Sequence, residues 1–293
     1  MKYLEQFLDY CRFARNLTDA TIDNYKTMCR LYSDYLVSVN LSDEQATQQN
    51  VVEFMAAERR KGSAASSINQ YLVAVSVYYD FCVRFHFDEF KQNPVAGVKR
   101  MRVDKSLPVC VPAYKMQSII DGFGETTFKE IRTKAILLLG YHCGLRRREI
   151  TDMQDVDVDF GSLTIRVTGK GRKVRLVPMS KQLADVLKKY LELRLVLAPF
   201  GSERFFITIS QTPLSYEQVA YIVETALAKH LPAAYCHCHI LRHSFATACI
   251  NAGVTLENLA TLMGHGSVNT TMRYLSISAT RIRQQIANVF DKV

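Results

Sequence analysis

The chain has 293 residues, 48% hydrophobic and 22% charged, enough to bury a sizeable core divided between two units. No apolar run approaches the ~20 residues needed to cross a bilayer, and Met1-Lys2-Tyr3-Leu4-Glu5-Gln6 lacks the basic segment and apolar core of a secretory signal, so a cytoplasmic protein is expected. The formal net charge of +9 is unevenly spread: residues 1–105 hold 14 basic and 13 acidic side chains, residues 106–293 hold 23 and 15, a surplus that fits a polyanionic partner but is also common in basic proteins without one.

Residues 1–98 read as helical almost throughout. Thr18 is placed to cap a helix whose apolar positions recur at Ile22, Tyr25, Met28, Leu31, Tyr32 and Tyr35. After the break at Lys61-Gly62-Ser63, a second long helix is predicted from about Ser66 to Phe85, with Ile68, Leu72, Val75, Tyr79 and Cys82 on one stripe and Asn93-Pro94 marking its end. These stripes predict a small four- or five-helix bundle. Residues 99–107 are polar, basic and aperiodic and read as a linker before a second domain, 108–293.

The second domain is mixed. A helix ending near Cys143-Gly144 precedes two alternating segments, Leu163–Val167 and Val174–Pro178, around Gly169-Lys170-Gly171, which predicts a β-hairpin with Lys170 at its tip. Helical patterns return at about 180–196, 215–229, 241–251 and 255–263, with Asn251-Ala252-Gly253 as a stop and Thr255 as the next cap. The fold class expected is therefore mainly α with a small β-sheet in the second domain.

Eight cysteines are scattered through the chain, which argues against a disulfide framework. Cys236-His237-Cys238-His239 looks like a metal site at first sight. Structural zinc needs two separated ligand pairs, and no second pair follows at a recognised spacing, so reduced structural thiols are the better reading.

Taken singly, the remaining motifs have ordinary explanations. Gly144-Leu145-Arg146 fits a helix end followed by a surface arginine, and Gly-Lys-Gly fits a plain turn. His239 and Arg242 share a helix face and could form a surface polar pair. Met263-Gly264-His265 fits another helix end, with the histidine near the negative end of the dipole. Tyr274 is one of 15 tyrosines.

Together and in this order, these residues resemble the tyrosine recombinase (phage integrase) family, most closely its compact Xer-like members. Gly144-Leu145-Arg146-Arg147-Arg148-Glu149-Ile150 is similar to the family's Gly-Leu-Arg-x-x-Glu-Leu segment. Gly169-Lys170-Gly171-Arg172-Lys173 with Val177-Pro178 resembles its lysine-bearing hairpin. His239-Ile240-Leu241-Arg242-His243-Ser244-Phe245-Ala246-Thr247 resembles its His-x-Leu-Arg-His-x-Phe-Ala-Thr box, and Leu262-Met263-Gly264-His265 with Thr270-Thr271 and Tyr274 its C-terminal box. The similarity spans about 106–280. The N-terminal half matches only in architecture and in Asn93-Pro94. Two departures stand out: Arg148, where Ser or Thr is usual, and Leu275-Ser276-Ile277, where Thr-His-Val is frequent.

The resemblance implies a two-domain C-shaped clamp on DNA, a helical N-terminal bundle plus a mixed α/β catalytic domain. It implies a site-specific recombinase working through a 3′-phosphotyrosyl intermediate, with Arg146, Lys170, His239, Arg242, His265 and Tyr274 as catalytic residues, no cofactor and no metal. The chemistry is consistent with that set. A tyrosine hydroxyl titrates near ~10 and needs an activated phosphate to attack. Two arginines can grip the non-bridging oxygens, histidines can donate hydrogen bonds or take the tyrosine proton, and the lysine can protonate the departing 5′ oxygen. His237 and His243 flank the pattern without matching it. Arg59, Arg60, Lys61, Arg172 and Lys173 are candidates for contacts to the DNA backbone, though solvation explains them nearly as well.

The implied partners are double-stranded DNA with paired core sites, a homotetramer on two duplexes, and accessory proteins; no membrane is involved. Ile282, Ile286, Val289 and Phe290 recur at helical spacing, either packing on their own domain or, as in the family, docking into a neighbouring subunit. Integration or excision of a mobile element, dimer resolution and inversion all use this chemistry. The alternatives are a type IB topoisomerase-like relaxing enzyme and a catalytically inactive DNA-binding relative.

Overall fold

The computed structural model describes residues 1–103, 110–169, 173–198 and 201–264. The chain divides into two compact units, Met1–Lys105 and Ser106–Val293.

In the first unit α1 (Leu4–Asp9) runs on into a π-helical turn (Tyr10–Ala14) and is followed by α2 (Asp19–Ser38), α3 (Gln48–Arg60) and α4 (Ala65–Phe85). The predicted α4 stripe is buried in full: Ile68, Leu72, Val75, Tyr79 and Cys82 all face the core, where Phe7, Tyr32 and Phe54 meet them. On α2 only Ile22 and Tyr32 of the predicted stripe are fully buried, and Cys29 and Leu36 complete that face. Thr18 occupies the N-cap position of α2 without a side-chain capping bond, its hydroxyl lying 3.0 Å from that of Thr21. Asn93-Pro94 does not end α4. The helix stops at Phe85, where the next residue, His86, leaves helical geometry and stacks on the Tyr3 ring. Asn93 instead donates to the Ser76 carbonyl and to Asp80 Oδ1, pinning a separate turn back onto the helix. Residues 99–103 also lie against this unit, with Asn69 holding Met101 through both its backbone groups at 2.9 Å.

A buried carboxylate closes this core. Asp43 accepts from the Tyr78 hydroxyl and the Lys2 backbone N–H, and its carbonyl takes the Tyr79 hydroxyl. Two donors on one carboxylate oxygen are what make this acidic side chain tolerable there.

The second unit is built around α6 (Phe128–His142), which is buried on nearly every side from Ile131 to Tyr141. Its second half, Ala135–Tyr141, is apolar on every side, as suits a segment that sits inside its domain rather than on it. A capping box between Thr127 and Glu130 starts the helix. Around it lie α5 (Ala113–Asp121), α7 (Arg147–Asp152), α8 (Lys181–Leu197), α9 (Tyr216–Ala228), α10 (Cys238–Asn251) and α11 (Leu256–Met263). Ser180, Ser215 and Thr255 cap α8, α9 and α11, the last as the sequence predicts.

The predicted hairpin is present as β2 (Thr164–Thr168) and β3 (Val174–Pro178), paired antiparallel from Thr164↔Pro178 to Thr168↔Val174. A two-residue strand β1 (Val158–Asp159), too short to show in the sequence pattern, adds to the outer edge of β2. Ile165, Val167 and Val177 point into the main core. Among the described residues no helix is long and apolar enough to cross a membrane.

Candidate active site

The end of α6 sets the first piece. Gly144 has φ +61°, and a Cβ there would lie 2.4 Å from Phe245 Cδ1. Both facts demand glycine. The left-handed turn reverses the chain so that Arg146 becomes the N-cap of α7.

Arg146 is held on two sides. Its Nη1 donates to Glu149 Oε1 at 2.8 Å and its Nη2 to the Gly264 carbonyl at 3.0 Å, while its backbone N–H donates to Glu149 Oε2 at 2.8 Å. Glu149 is only 5% exposed. Its second arginine is Arg175 on β3, which grips both carboxylate oxygens, Nη1 to Oε1 at 2.9 Å and Nη2 to Oε2 at 2.8 Å. Burial alone would raise the Glu149 pKa; the Arg175 hydrogen bond and charge, then the bonds from Arg146, outweigh it and hold the carboxyl below its usual range.

Arg242, for which a surface polar pair with His239 is the ordinary alternative to the implied catalytic role, is buried. Its Nη1 donates to the Gly144 carbonyl and its Nη2 to the Met263 carbonyl. Arg175 Nε donates to the Leu262 carbonyl at 2.7 Å. Three successive carbonyls at the end of α11, those of Leu262, Met263 and Gly264, thus each take a different arginine. These are groups a helix leaves without internal partners, at the negative end of its dipole. Three guanidinium groups thus meet at the end of α11, two of them sharing the one carboxylate of Glu149, which leaves a positive excess where a phosphate can be held.

His239 lies in the first turn of α10. Partial burial first, then the positive charges of His237, Arg242, Arg147 and Arg146, push its pKa below the ordinary histidine value, so at neutral pH the imidazole is uncharged. His237 serves the helix itself. As N-cap of α10 its Nδ1 accepts from the Ile240 N–H at 3.2 Å, which is why the helix starts at Cys238 rather than near Leu241. The four residues 236–239 do not converge. The Cys236 thiol donates to the Leu231 and Pro232 carbonyls, and among the described residues no group of three His, Cys, Asp or Glu is arranged to hold a metal ion.

The three consecutive arginines separate. Arg146 joins the cluster, Arg147 stacks 3.4 Å from the Tyr216 ring centroid, and Arg148 pairs with Asp152 at 2.7 Å. Beside them a cleft of about 1280 Å³ is bounded by Arg146, Thr168, Gly169, Lys173, Arg175 and Gly264. Gly169 N–H donates to the Lys173 carbonyl at 2.8 Å, closing the base of the hairpin. Lys173 is exposed. Lys170, Arg172, His265 and Tyr274 lie outside the described residues, as does the segment with Ile282, Ile286, Val289 and Phe290. In the first unit Arg59, Arg60 and Lys61 are exposed at the end of α3. Arg59 donates to the Ser63 carbonyl and Lys61 pairs with Glu58, so two of the three help to close that helix.

Sequence reasoning assigned no role to Glu149 or Arg175. Glu149 stands three residues after Arg146, the spacing of a reciprocal helix-start pair. Arg175 shares a strand face with the buried Val177, which should have marked it as turned inward.

A match to the model described as "Phage integrase family" covers residues 113–281, and one to "Phage integrase, N-terminal SAM-like domain" covers 4–86. The chain belongs to the phage integrase family. It is 30% identical over 290 residues to tyrosine recombinase XerC of Vibrio cholerae serotype O1, spanning 99% of this chain and 91% of that protein. With tyrosine recombinase XerC of Haemophilus ducreyi it shares 28% over 288 residues, 98% and 92% of the two chains. Among solved structures, the Tn1549 transposon integrase in complex with transposon right end DNA superposes with TM-score 0.76 at 16% identity, over 98% of this chain and 99% of that one. XerH site-specific recombinase bound to a palindromic difH substrate gives 0.75 at 19%, over 97% and 84%. At such identities these two likenesses establish the fold, mainly helical with a small three-stranded sheet.

Proposed function

We infer that this member of the family is a site-specific DNA recombinase that cuts and rejoins strands through a phosphotyrosyl intermediate on Tyr274. The observation that carries the reading is the meeting of Arg146 and Arg242, far apart in sequence, on the carbonyls of Gly264 and Met263 immediately before His265. Two arginines fixed together at one helix end supply the charge that stabilising a pentacoordinate phosphate requires.

In this reading the Tyr274 phenolic oxygen attacks the scissile phosphorus and the bond from phosphorus to the 5′ oxygen breaks. Arg146 and Arg242 direct their guanidinium groups at the non-bridging oxygens. His239, neutral at physiological pH, and His265 receive or share the phenol proton, and Lys170 gives a proton to the departing 5′ oxygen. The phosphotyrosyl link conserves the bond energy, so a second 5′ hydroxyl reverses the step without ATP. The fixed cations take the place of a metal ion.

Double-stranded DNA with paired core sites is the partner. The DNA-bound state of the structural relatives supports it, as does the surplus of 23 basic over 15 acidic side chains in residues 106–293. Phosphate contacts from Lys173, Arg172 and the Arg59–Lys61 corner give affinity, and helices in the major groove give sequence preference. Four copies on two duplexes in the cytoplasm, with accessory proteins setting direction, complete the proposal.

The test is an SDS-trapped cleavage assay in EDTA on nicked duplexes from the DNA flanking the coding region. A covalent adduct is expected with the wild type and none with Tyr274→Phe, while both bind the duplex equally. An adduct that survives the substitution moves the nucleophile elsewhere. Cleavage indifferent to DNA sequence favours a topoisomerase-like relaxing enzyme.

A further inference from the structure

Glu149 presents a chemical problem that the recombinase reading leaves open. A buried carboxylate 2.8 Å from Arg146 is the natural competitor of a DNA phosphate for that guanidinium. Left alone with Arg146, Glu149 would take it bidentately, as carboxylates do with planar guanidinium groups, and cancel its charge. Arg175 already occupies the bidentate position. It bonds both oxygens of Glu149 at 2.9 and 2.8 Å and leaves Arg146 a single side-chain bond to Oε1.

We propose that Arg175 is a positioning residue that keeps Glu149 from sequestering Arg146, so that Glu149 orients the catalytic guanidinium without neutralising it. The inference rests on the recombinase reading for what Arg146 is needed for, but the competition itself is a property of the free protein.

Three further features fit this role. The Arg175 side chain is 10% exposed, so no solvent shell screens its bond to the 5% exposed carboxylate. Its Nε is committed to the Leu262 carbonyl while both terminal nitrogens hold Glu149, so three bonds fix the group in place, and Gly264, where a Cβ would come within 3.2 Å of the guanidinium carbon, leaves it the room. It also stands on β3, one residue after Val174, whose partner Thr168 leads into the hairpin turn bearing Lys170. Arg175 therefore joins three pieces of the site: the base of the lysine hairpin, the carboxylate under Arg146, and the turn that precedes His265. Lysine cannot replace it, because a single ammonium cannot occupy both carboxylate oxygens and the Leu262 carbonyl in that fixed geometry.

The experiment compares wild type, Arg175→Gln, Arg175→Lys, Glu149→Gln and the double variant Arg175→Gln/Glu149→Gln. Single-turnover cleavage of a nicked duplex is measured beside duplex affinity. Arg175→Gln is expected to cleave about 100-fold more slowly, the cost of a misplaced catalytic group, with affinity within threefold of the wild type. The double variant is expected to cleave faster than Arg175→Gln, because removing the competitor's charge frees Arg146 again. Lost packing alone cannot produce that reversal, since a second lesion in a damaged site only worsens it. Arg175→Gln cleaving at the wild-type rate, or a double variant no faster than the single one, overturns the proposal.

If Arg175→Gln does not fold, Arg175→Lys keeps the charge and loses the fork. It is then expected to cleave more slowly than wild type and to be improved by Glu149→Gln, and a wild-type rate overturns the proposal. The guanidinium ¹⁵N–¹H signals of Arg146 in the free protein give a readout independent of activity. They should shift in Arg175→Gln and return toward wild type in the double variant; unmoved signals overturn the proposal even where no DNA cleavage is detected. A folded wild type that forms no adduct while these signals behave as expected instead sinks the recombinase reading and leaves the competition standing.

Discussion

Replacing Gly144 by alanine tests the turn that delivers Arg146. Two costs combine. Holding an L-residue at φ +61° costs about 1–2 kcal/mol. The added Cβ would then sit 2.4 and 2.7 Å from two ring carbons of Phe245, against ordinary contacts near 3.5–4.0 Å, so the ring or the turn must move by about 1 Å. Phe245 is 7% exposed and packs in a small cluster with Ala246, Ile250, Leu259 and Met263, so it cannot move freely, and overpacking of this kind costs about 1–3 kcal/mol. The sum is a loss of about 2–5 kcal/mol from the second unit. Calorimetry on the whole chain, with Gly62→Ala beside it, separates the two contributions. Gly62 has φ +94° but nothing within 4 Å of an added Cβ, so that variant suffers the backbone cost alone. Adding Phe245→Leu to Gly144→Ala should return part of the lost stability by making room. If Gly144→Ala proves no more destabilising than Gly62→Ala, the steric half of the reasoning is wrong. A Gly144→Ala protein that cleaves at the wild-type rate would show that the Gly144 carbonyl bonded to Arg242 does not fix the site.

Three other outcomes follow from the same geometry. Glu149 has its folded pKa held below the carboxylate value of 4.5, so its contribution to stability is fully present above that pH and is lost as pH falls through the folded value; acid titration of Glu149→Gln should show a shallower loss of stability below pH 4.5 than the wild type. His239 has its pKa lowered from 6.5, so the unfolded chain binds the proton first as pH falls; stability should decline below 6.5, and cleavage only further down, as the pH passes through the lower folded value. A His239→Gln variant whose stability falls as steeply below 6.5 as the wild type's would overturn this reasoning. His237→Ala removes the capping bond to the Ile240 N–H and should cost about 1 kcal/mol in a denaturant titration, while His237→Asn, which can accept the same bond, should restore it.

The legibility of this fold differed by element, for physical reasons. The α4 stripe, the β2–β3 hairpin and the Thr255 cap could be read because periodicity and turn chemistry are local properties. The end of α4 could not. Asn93-Pro94 is a sound local stop signal, but the helix is ended earlier by the stacking of His86 on Tyr3 from the other end of the unit. The start of α10 was missed because histidine is seldom considered as a cap. Within the site, the residues proposed to touch a phosphate announced themselves as motifs, whereas Arg175, proposed to steer them, did not. Arg175 sits between Val174 and Leu176, both exposed, so this stretch of β3 is inverted, with two apolar residues turned outward and a charge on the inward face beside Val177. A strand inverted in this way makes sense only once Glu149 and the Leu262 carbonyl are seen beneath it, and both come from distant parts of the chain.

That inversion also explains why the second unit tolerates so much buried charge. Arg175 and Arg242 would each be costly alone in a core, since an unpaired buried ion costs several kcal/mol. Their partners are mostly not acids. Among the described residues, the partners besides Glu149 include backbone carbonyls at the ends of α6 and α11, groups that also need partners because no helical N–H reaches them. Each bond therefore satisfies two deficits at once, and the arginines keep most of their net positive charge because carbonyls are dipoles rather than ions. A site built on carboxylates would be better neutralised and less able to attract a phosphate. The protein uses one carboxylate where orientation matters and helix ends elsewhere. Substituting any of the three arginines by a neutral residue should therefore weaken anion binding at the cleft, measurable as a raised dissociation constant for a phosphate mimic such as vanadate, more than substituting the exposed Arg148, which is already paired with Asp152. Equal effects from Arg148 and from Arg146, Arg175 and Arg242 would mean that overall surface charge, and not this arrangement, holds the anion.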